Sequence, residues 1–229
     1  MNQKLKHRGK STIQLIAHSN PNTAITEQYR HIRTSIMYSS VDKELKSIMI
    51  TSSEPGEGKS MTAANLAVVL AQQGKKVVLV DADLRKPSIH FTFNSSNIDG
   101  LTSVLTKKIS LNGAISSTYV PDLDILTCGP IPPNPSELLD SKAMESVIKE
   151  LKATFDYVVI DTPPVITVTD PQIIANKCDG IVMVVKRGKT KKDKAQKAKE
   201  LLEKAESRLI GVVENGVKYT ETNYYGRYN

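Results

Sequence analysis

The sequence predicts a doubly wound α/β domain: a mainly parallel sheet flanked by helices. Three observations predict it. Six short segments are nearly continuously apolar: "SIMITS" from Ser47, "KKVVLVDAD" from Lys75, "LDILTCG" from Leu123, "YVVIDTPP" from Tyr157, "GIVMVVK" from Gly180 and "RLIGVVEN" from Arg208. Such Val/Ile/Leu runs mark strands covered on both faces. Helical segments fall between several of them, near residues 59–73, 141–153, 170–177 and 189–206. Glycines and carboxylates gather where the strands end, which is where folds of this class bind ligands.

In chain order, residues 1–21 lack periodicity and are expected to form an arm. A helix is expected over 22–40, because Ile25, Tyr29, Ile32 and Ile36 recur on one face of a 3.6-residue period. Asn22 or Thr23 would cap it. The helix from Lys59 to Gln73 ends at Gly74, as a C-terminal glycine ends helices. One domain over 22–217 follows, with a polar tail over 218–229.

Composition narrows the classes. The 229 residues are 39% hydrophobic and 24% charged, as in a globular protein. No apolar run suits a membrane span, and no signal-peptide core follows the basic N-terminus. The expectation is a cytoplasmic chain that reaches a membrane only through a partner. Cys128 and Cys178 form no metal-binding pattern and read as buried thiols. The net charge of +7 points to anionic partners. Much of it lies in "KRGKTKKDKAQKAKELLEKAESR", which reads as a solvated helix face. No aromatic residue interleaves those lysines, so no nucleic acid is expected.

The segment "SSEPGEGKS" carries the strongest chemical signal. A loop that grips phosphate needs inward backbone N–H groups and no obstructing side chains. Gly56 and Gly58 supply that freedom, and Pro55 stiffens the approach. The next helix offers its positive end. Lys59 is placed to reach terminal phosphates and Ser60 to bind Mg²⁺. The binding set is Glu54, Pro55, Gly56, Glu57, Gly58, Lys59, Ser60 and Met61. The template's first glycine is replaced by Ser53. Two further strands end in acid. Asp81 and Asp83 share one side while the strand stays extended, and their repulsion calls for a cation or a retained proton. Asp161 ends "YVVID" as the second half of a metal site. Together these segments specify a Mg²⁺–ATP pocket.

"SSEPGEGKS", "VVLVDADLRKP" and "VVIDTPP" resemble the Walker A, A′ and B motifs of bacterial tyrosine kinases, distant relatives of the MinD/ParA P-loop ATPases. "GPIPPNPSELL" from Gly129 is similar as well. The chain also resembles the capsule-polysaccharide branch, whose membrane-spanning activator is a separate CapA-like polypeptide. Partition ATPases carry a signature lysine where this chain has Glu54, so the kinase branch fits better. The resemblance implies that Lys59 holds the β/γ-phosphates and Ser60 binds Mg²⁺. It implies that Asp81 and Asp83 serve the metal and the incoming tyrosine hydroxyl, that Asp161 completes the metal shell, and that Asn215 contacts adenine. Asp81 is the first choice as base and Asp83 the second.

The tail "KYTETNYYGRYN" holds Tyr219, Tyr224, Tyr225 and Tyr228, four of the chain's eight tyrosines. The resemblance implies that these are autophosphorylated by a neighbouring subunit, and twelve extended residues reach about 40 Å. Glu27, Arg30 and Arg33 form a stripe beside the apolar helix face. They match an ExxRxxR pattern that the resemblance links to a ring-shaped homo-oligomer. Other substrates would be tyrosines on proteins of polysaccharide synthesis. The competing reading is a nucleotide-switched assembly ATPase without kinase activity.

Overall fold

The structure, a computed structural model, describes residues 13–39 and 45–217. The four tail tyrosines therefore lie outside the described residues. The elements run α1 (Ile16–Ser19), α2 (Ala24–Tyr38), β1 (Ser47–Ser52), α3 (Lys59–Ala71), β2 (Val77–Asp81), α4 (Ile89–Thr92), α5 (Leu101–Leu105) and α6 (Leu111–Ala114). They continue with β3 (Ile115–Ser117), β4 (Leu123–Leu126), α7 (Pro135–Asp140), α8 (Lys142–Thr154), β5 (Tyr157–Asp161), α9 (Asp170–Ala175), β6 (Gly180–Lys186), α10 (Lys192–Leu202) and β7 (Arg208–Asn215).

The strands form one seven-stranded sheet in the order β3-β4-β2-β5-β1-β6-β7. All neighbours are parallel except β3, which pairs antiparallel with β4. All six expected strands are present. β3 was not expected: its three residues, Ile-Ser-Ser, are half-buried or exposed and carry no apolar run.

Strand alternation splits the core in two. Ile48, Ile50, Val77 and Leu79 face α1 to α4, while Met49, Val78 and Val80 face α5 to α10. Burial on both faces is why these strands read as unbroken apolar runs. Every residue of α3 from Thr62 to Ala71 is buried. A helix apolar all round needs cover on its outer side, and α1 and α2 provide it.

That cover corrects the expected arm over residues 13–21; residues 1–12 of that arm lie outside the described residues. Leu15 and Ala17 are buried. Asn65 of α3 accepts from Ala17 N at 2.9 Å and donates to Gln14 O at 3.0 Å, while Gln72 donates to Ala17 O at 2.9 Å. An amide inside a buried helix needs such partners, and the segment from residue 13 supplies them.

Thr23 caps α2, its hydroxyl accepting from Thr26 N at 3.3 Å. The apolar face of α2 differs from expectation at one position. Ile25 is half-exposed, and Thr26 is buried in its place. The Thr26 hydroxyl lies in hydrogen-bonding range of Asn20 O and Ile16 O, so contact with the preceding turn sets the inward face here. Arg33 shares that face and donates to Val69 O at 2.9 Å, in the last turn of α3. A cation capping a helix C-terminus is favourable. Glu27 and Arg30 instead pair with each other on the outer surface.

Candidate active site

β1 delivers the chain into the loop 53–58, and α3 carries it away. Gly56 and Gly58 take φ of +77° and +96°, the left-handed region that glycine favours. At Gly58 a Cβ would also lie 2.0 Å from the Asn215 amide nitrogen. The N-terminal end of α3 has no side-chain cap, so its N–H groups face the loop.

The departure at Ser53 now has a structural reason. Ser53 and Glu57 are both buried, and the Ser53 hydroxyl reaches the two Glu57 oxygens at 2.9 and 2.8 Å. Glu57 also accepts from Glu54 N at 3.0 Å and from the Thr190 hydroxyl. The Glu57 side chain turns behind the loop, which leaves its backbone for the phosphate-binding role expected of it. An acid pointing at phosphate would repel it. Glu54 lies 3.8 Å from Lys194.

Three buried acids surround one lysine. Lys59 Nζ lies 2.9 Å from Asp83, 3.5 Å from Asp161 and 3.2 Å from the Ser60 hydroxyl. Burial disfavours its charge, but Asp161 and Asp83 outweigh that and raise its pKa. Asp161 is fully buried, and neither of its oxygens accepts a hydrogen bond from the described residues. Burial raises its pKa, partly offset by the Lys59 charge.

Asp81 pairs in register with Asp161 across β2 and β5. Its pKa is pushed up to about 7 by burial and by the Asp161 charge, against opposing N–H donors from Ile89 and Ser88. The extended geometry expected for Asp81 and Asp83 is corrected. β2 ends at Asp81, which accepts from Asp83 N at 3.3 Å, Ser88 N at 2.9 Å and Ile89 N at 3.0 Å. Only Asp83 turns to Lys59. Arg85 makes a two-pronged pair with the buried Asp170 at 2.8 and 3.0 Å.

The residues present fit a magnesium–nucleotide. Three close acids against one lysine leave excess negative charge for a divalent cation to neutralise. Asp161, with only Lys59 at 3.5 Å against one oxygen, keeps its carboxylate available beside Ser60. No three His, Cys, Asp or Glu side chains among the described residues converge as a complete metal cage. Mg²⁺ keeps several waters and takes phosphate oxygens, so it needs only one or two protein ligands.

The Asn215 side chain donates to Glu57 O at 3.0 Å and accepts from Gly216 N at 2.8 Å. It thus reaches the cradle from the outermost strand. Sequence reasoning missed Thr190 and Lys189, whose ammonium contacts Pro55 O at 2.5 Å. Both sit in the basic run read only as a solvated face.

A glycine-rich loop between β1 and a buried helix, beside two acid-tipped parallel strands, defines a P-loop nucleotide-binding protein. The ParA family model, described as a NUBPL iron-transfer P-loop NTPase, matches residues 44–227. Tyrosine-protein kinase YwqD of Bacillus subtilis is 54% identical over 214 residues, 93% of this chain and 90% of the relative. Tyrosine-protein kinase CpsD of Streptococcus agalactiae is 42% identical over 207 residues, 89% of this chain and 90% of the relative. The crystal structure of the chimerical protein CapA2B2 superposes with a TM-score of 0.86 at 45% identity, covering 89% of this chain and 90% of that one. The chain belongs to the bacterial tyrosine kinases, within the ParA-like P-loop NTPases.

Proposed function

We propose that the protein transfers the γ-phosphoryl group of ATP to tyrosine hydroxyls, first those of its own C-terminal segment: Tyr219, Tyr224, Tyr225 and Tyr228. The observation that carries this is Lys59 held between Asp83 and Asp161 at the mouth of the phosphate loop. Lys59 neutralises the β- and γ-phosphates, and the loop N–H groups fix them in line. Ser60, backed by Asp161, would hold Mg²⁺, which would supply charge neutralisation on the transferring group. Asp81 accepts the tyrosine proton. The tyrosine oxygen bonds to the γ-phosphorus as the bond to ADP breaks, and the proton passes to Asp81. Asp83 positions Lys59. Asn215 contacts adenine through the amide hydrogen its loop bond leaves over.

Transfer is between copies in a ring assembled through Glu27, Arg30 and Arg33. Within one chain Glu27 and Arg30 pair with each other and Arg33 donates to Val69 O. No helix among the described residues is long and apolar enough to cross a membrane. A separate CapA-like membrane-spanning activator brings the kinase to the inner membrane face, in line with the CapA2B2 likeness. The regulated process is capsular or extracellular polysaccharide synthesis. A switch ATPase without kinase activity is not favoured, since the curated relatives are named tyrosine-protein kinases.

The test is incubation of the full chain with Mg²⁺–ATP and mass spectrometry of the C-terminal peptide. Phosphotyrosine is expected, and its loss in Lys59→Met. Free phosphate without phosphotyrosine would overturn the reading.

A further inference from the structure

Behind the phosphate loop lies a buried carboxylate that binds no phosphate. Glu57 is 1% exposed. A negative charge beside a site for a polyanion is electrostatically adverse, so its contribution must come from what it holds. One oxygen takes the Glu54 N–H and the Ser53 hydroxyl. The other takes the Ser53 hydroxyl and that of Thr190, from 133 residues further along.

Thr190 is itself fixed. Its hydroxyl oxygen accepts from Lys186 N at 2.8 Å, at the end of β6. That bond leaves the hydroxyl proton free to point at Glu57. Next to it, Lys189 holds Pro55 O, and Asn215 holds Glu57 O. The outer wall of the loop is therefore clasped at three points by the segment after β6 and the end of β7. Thr190 makes the one clasp bond that reaches the buried carboxylate.

We propose that Thr190 is a positioning residue for the nucleotide, holding the phosphate loop in its binding shape through Glu57. The proposal rests on the nucleotide site described above. Loop N–H groups bind phosphate in the ground state and in the transition state alike. Loosening the loop thus removes uniform binding, which raises KM and leaves kcat.

The experiment compares wild type, Thr190→Val and Thr190→Ser as full chains. Mg²⁺–ADP affinity is measured by calorimetry, and kcat and KM for ATP by phosphotyrosine formation. A single hydrogen bond to a charged group corresponds to about tenfold in affinity. The valine variant is expected to weaken ADP binding and raise KM by about that factor, with kcat within about twofold. The serine variant restores the wild-type values. Unchanged ADP affinity in the valine variant would overturn the proposal, as would a fall in kcat at constant KM or a serine variant as weak as valine. A wild type that binds ADP but forms no phosphotyrosine would defeat the kinase reading alone, because the calorimetric arm still reads the clasp.

Discussion

Strand β1 runs between two carboxylate clusters, and they are built in opposite ways. Below its start, Asp179 accepts from Ser47 N at 2.8 Å, the Ser47 hydroxyl at 2.9 Å, Lys46 N at 3.1 Å and Lys152 at 2.6 Å. Burial pushes its pKa up, but Lys152 and Ser47 outweigh that and hold it low. Toward the other end of β1, Asp161 faces Lys59 at 3.5 Å, has no well-formed hydrogen bond among the described residues, and has a raised pKa. The first acid is satisfied by the fold, and the second is left for something the fold does not contain. Satisfaction of hydrogen bonds, more than burial, separates Asp179 from Asp161.

Four experiments break or sharpen that contrast. The largest effect belongs to Lys59→Met, which should lower phosphotyrosine formation by about a thousandfold while the far-ultraviolet circular dichroism stays native. Retained activity would remove Lys59 from the chemistry. Next, Asp179→Ala should cost roughly 2–4 kcal/mol in urea unfolding, because it strands Lys152 and the β1 N–H groups. Asp161→Asn should cost nothing without nucleotide. Equal losses would erase the distinction.

The third experiment is pH. A raised carboxylate pKa gives stability that is present below the unfolded pKa and is lost as pH rises toward the folded one. For Asp81 that window runs from 3.8 to about 7. Asp179, with a lowered pKa, contributes above its unfolded pKa and loses its contribution as pH falls through the folded one. With chelator and no nucleotide, Asp81→Asn should therefore raise Tm at pH 8 and change it little at pH 4. Asp179→Ala should lower Tm at pH 8 and matter least under strong acid. A Tm gain for Asp81→Asn that is the same at both pH values would refute the assignment. The smallest effect lies on α2. Arg33→Ala should cost about 1 kcal/mol through the lost bond to Val69 O. Glu27→Ala should cost less than about 0.5 kcal/mol, since an exposed i,i+3 pair contributes little. Thermal melts of the two variants, at protein concentrations where light scattering shows one species, rank them.

The sequence displayed the features that depend on local composition. Apolar runs gave β1, β2 and β4 to β7. Strand-ending acids and paired glycines gave Lys59, Ser60, Asp83 and Asp161. What stayed hidden depends on distant contacts. The Glu57 side chain faces inward because Thr190 meets it, and no spacing rule encodes that. Residues 13–20 fold down because Asn65 needs partners. Asp81 turns from Asp83 because the chain bends on leaving β2, and period-two reasoning holds only while a strand continues. The polarity of β3 concealed it.

Asn215 closes the cradle from the outermost strand, two positions before the last described residue, Val217. Mechanical load on the chain beyond that point is delivered to β7 and to the amide bond with Glu57 before it meets the interior. Tension at the C-terminus, from a tether or a bulky fusion, would be felt by the nucleotide pocket earlier than by the hydrophobic core.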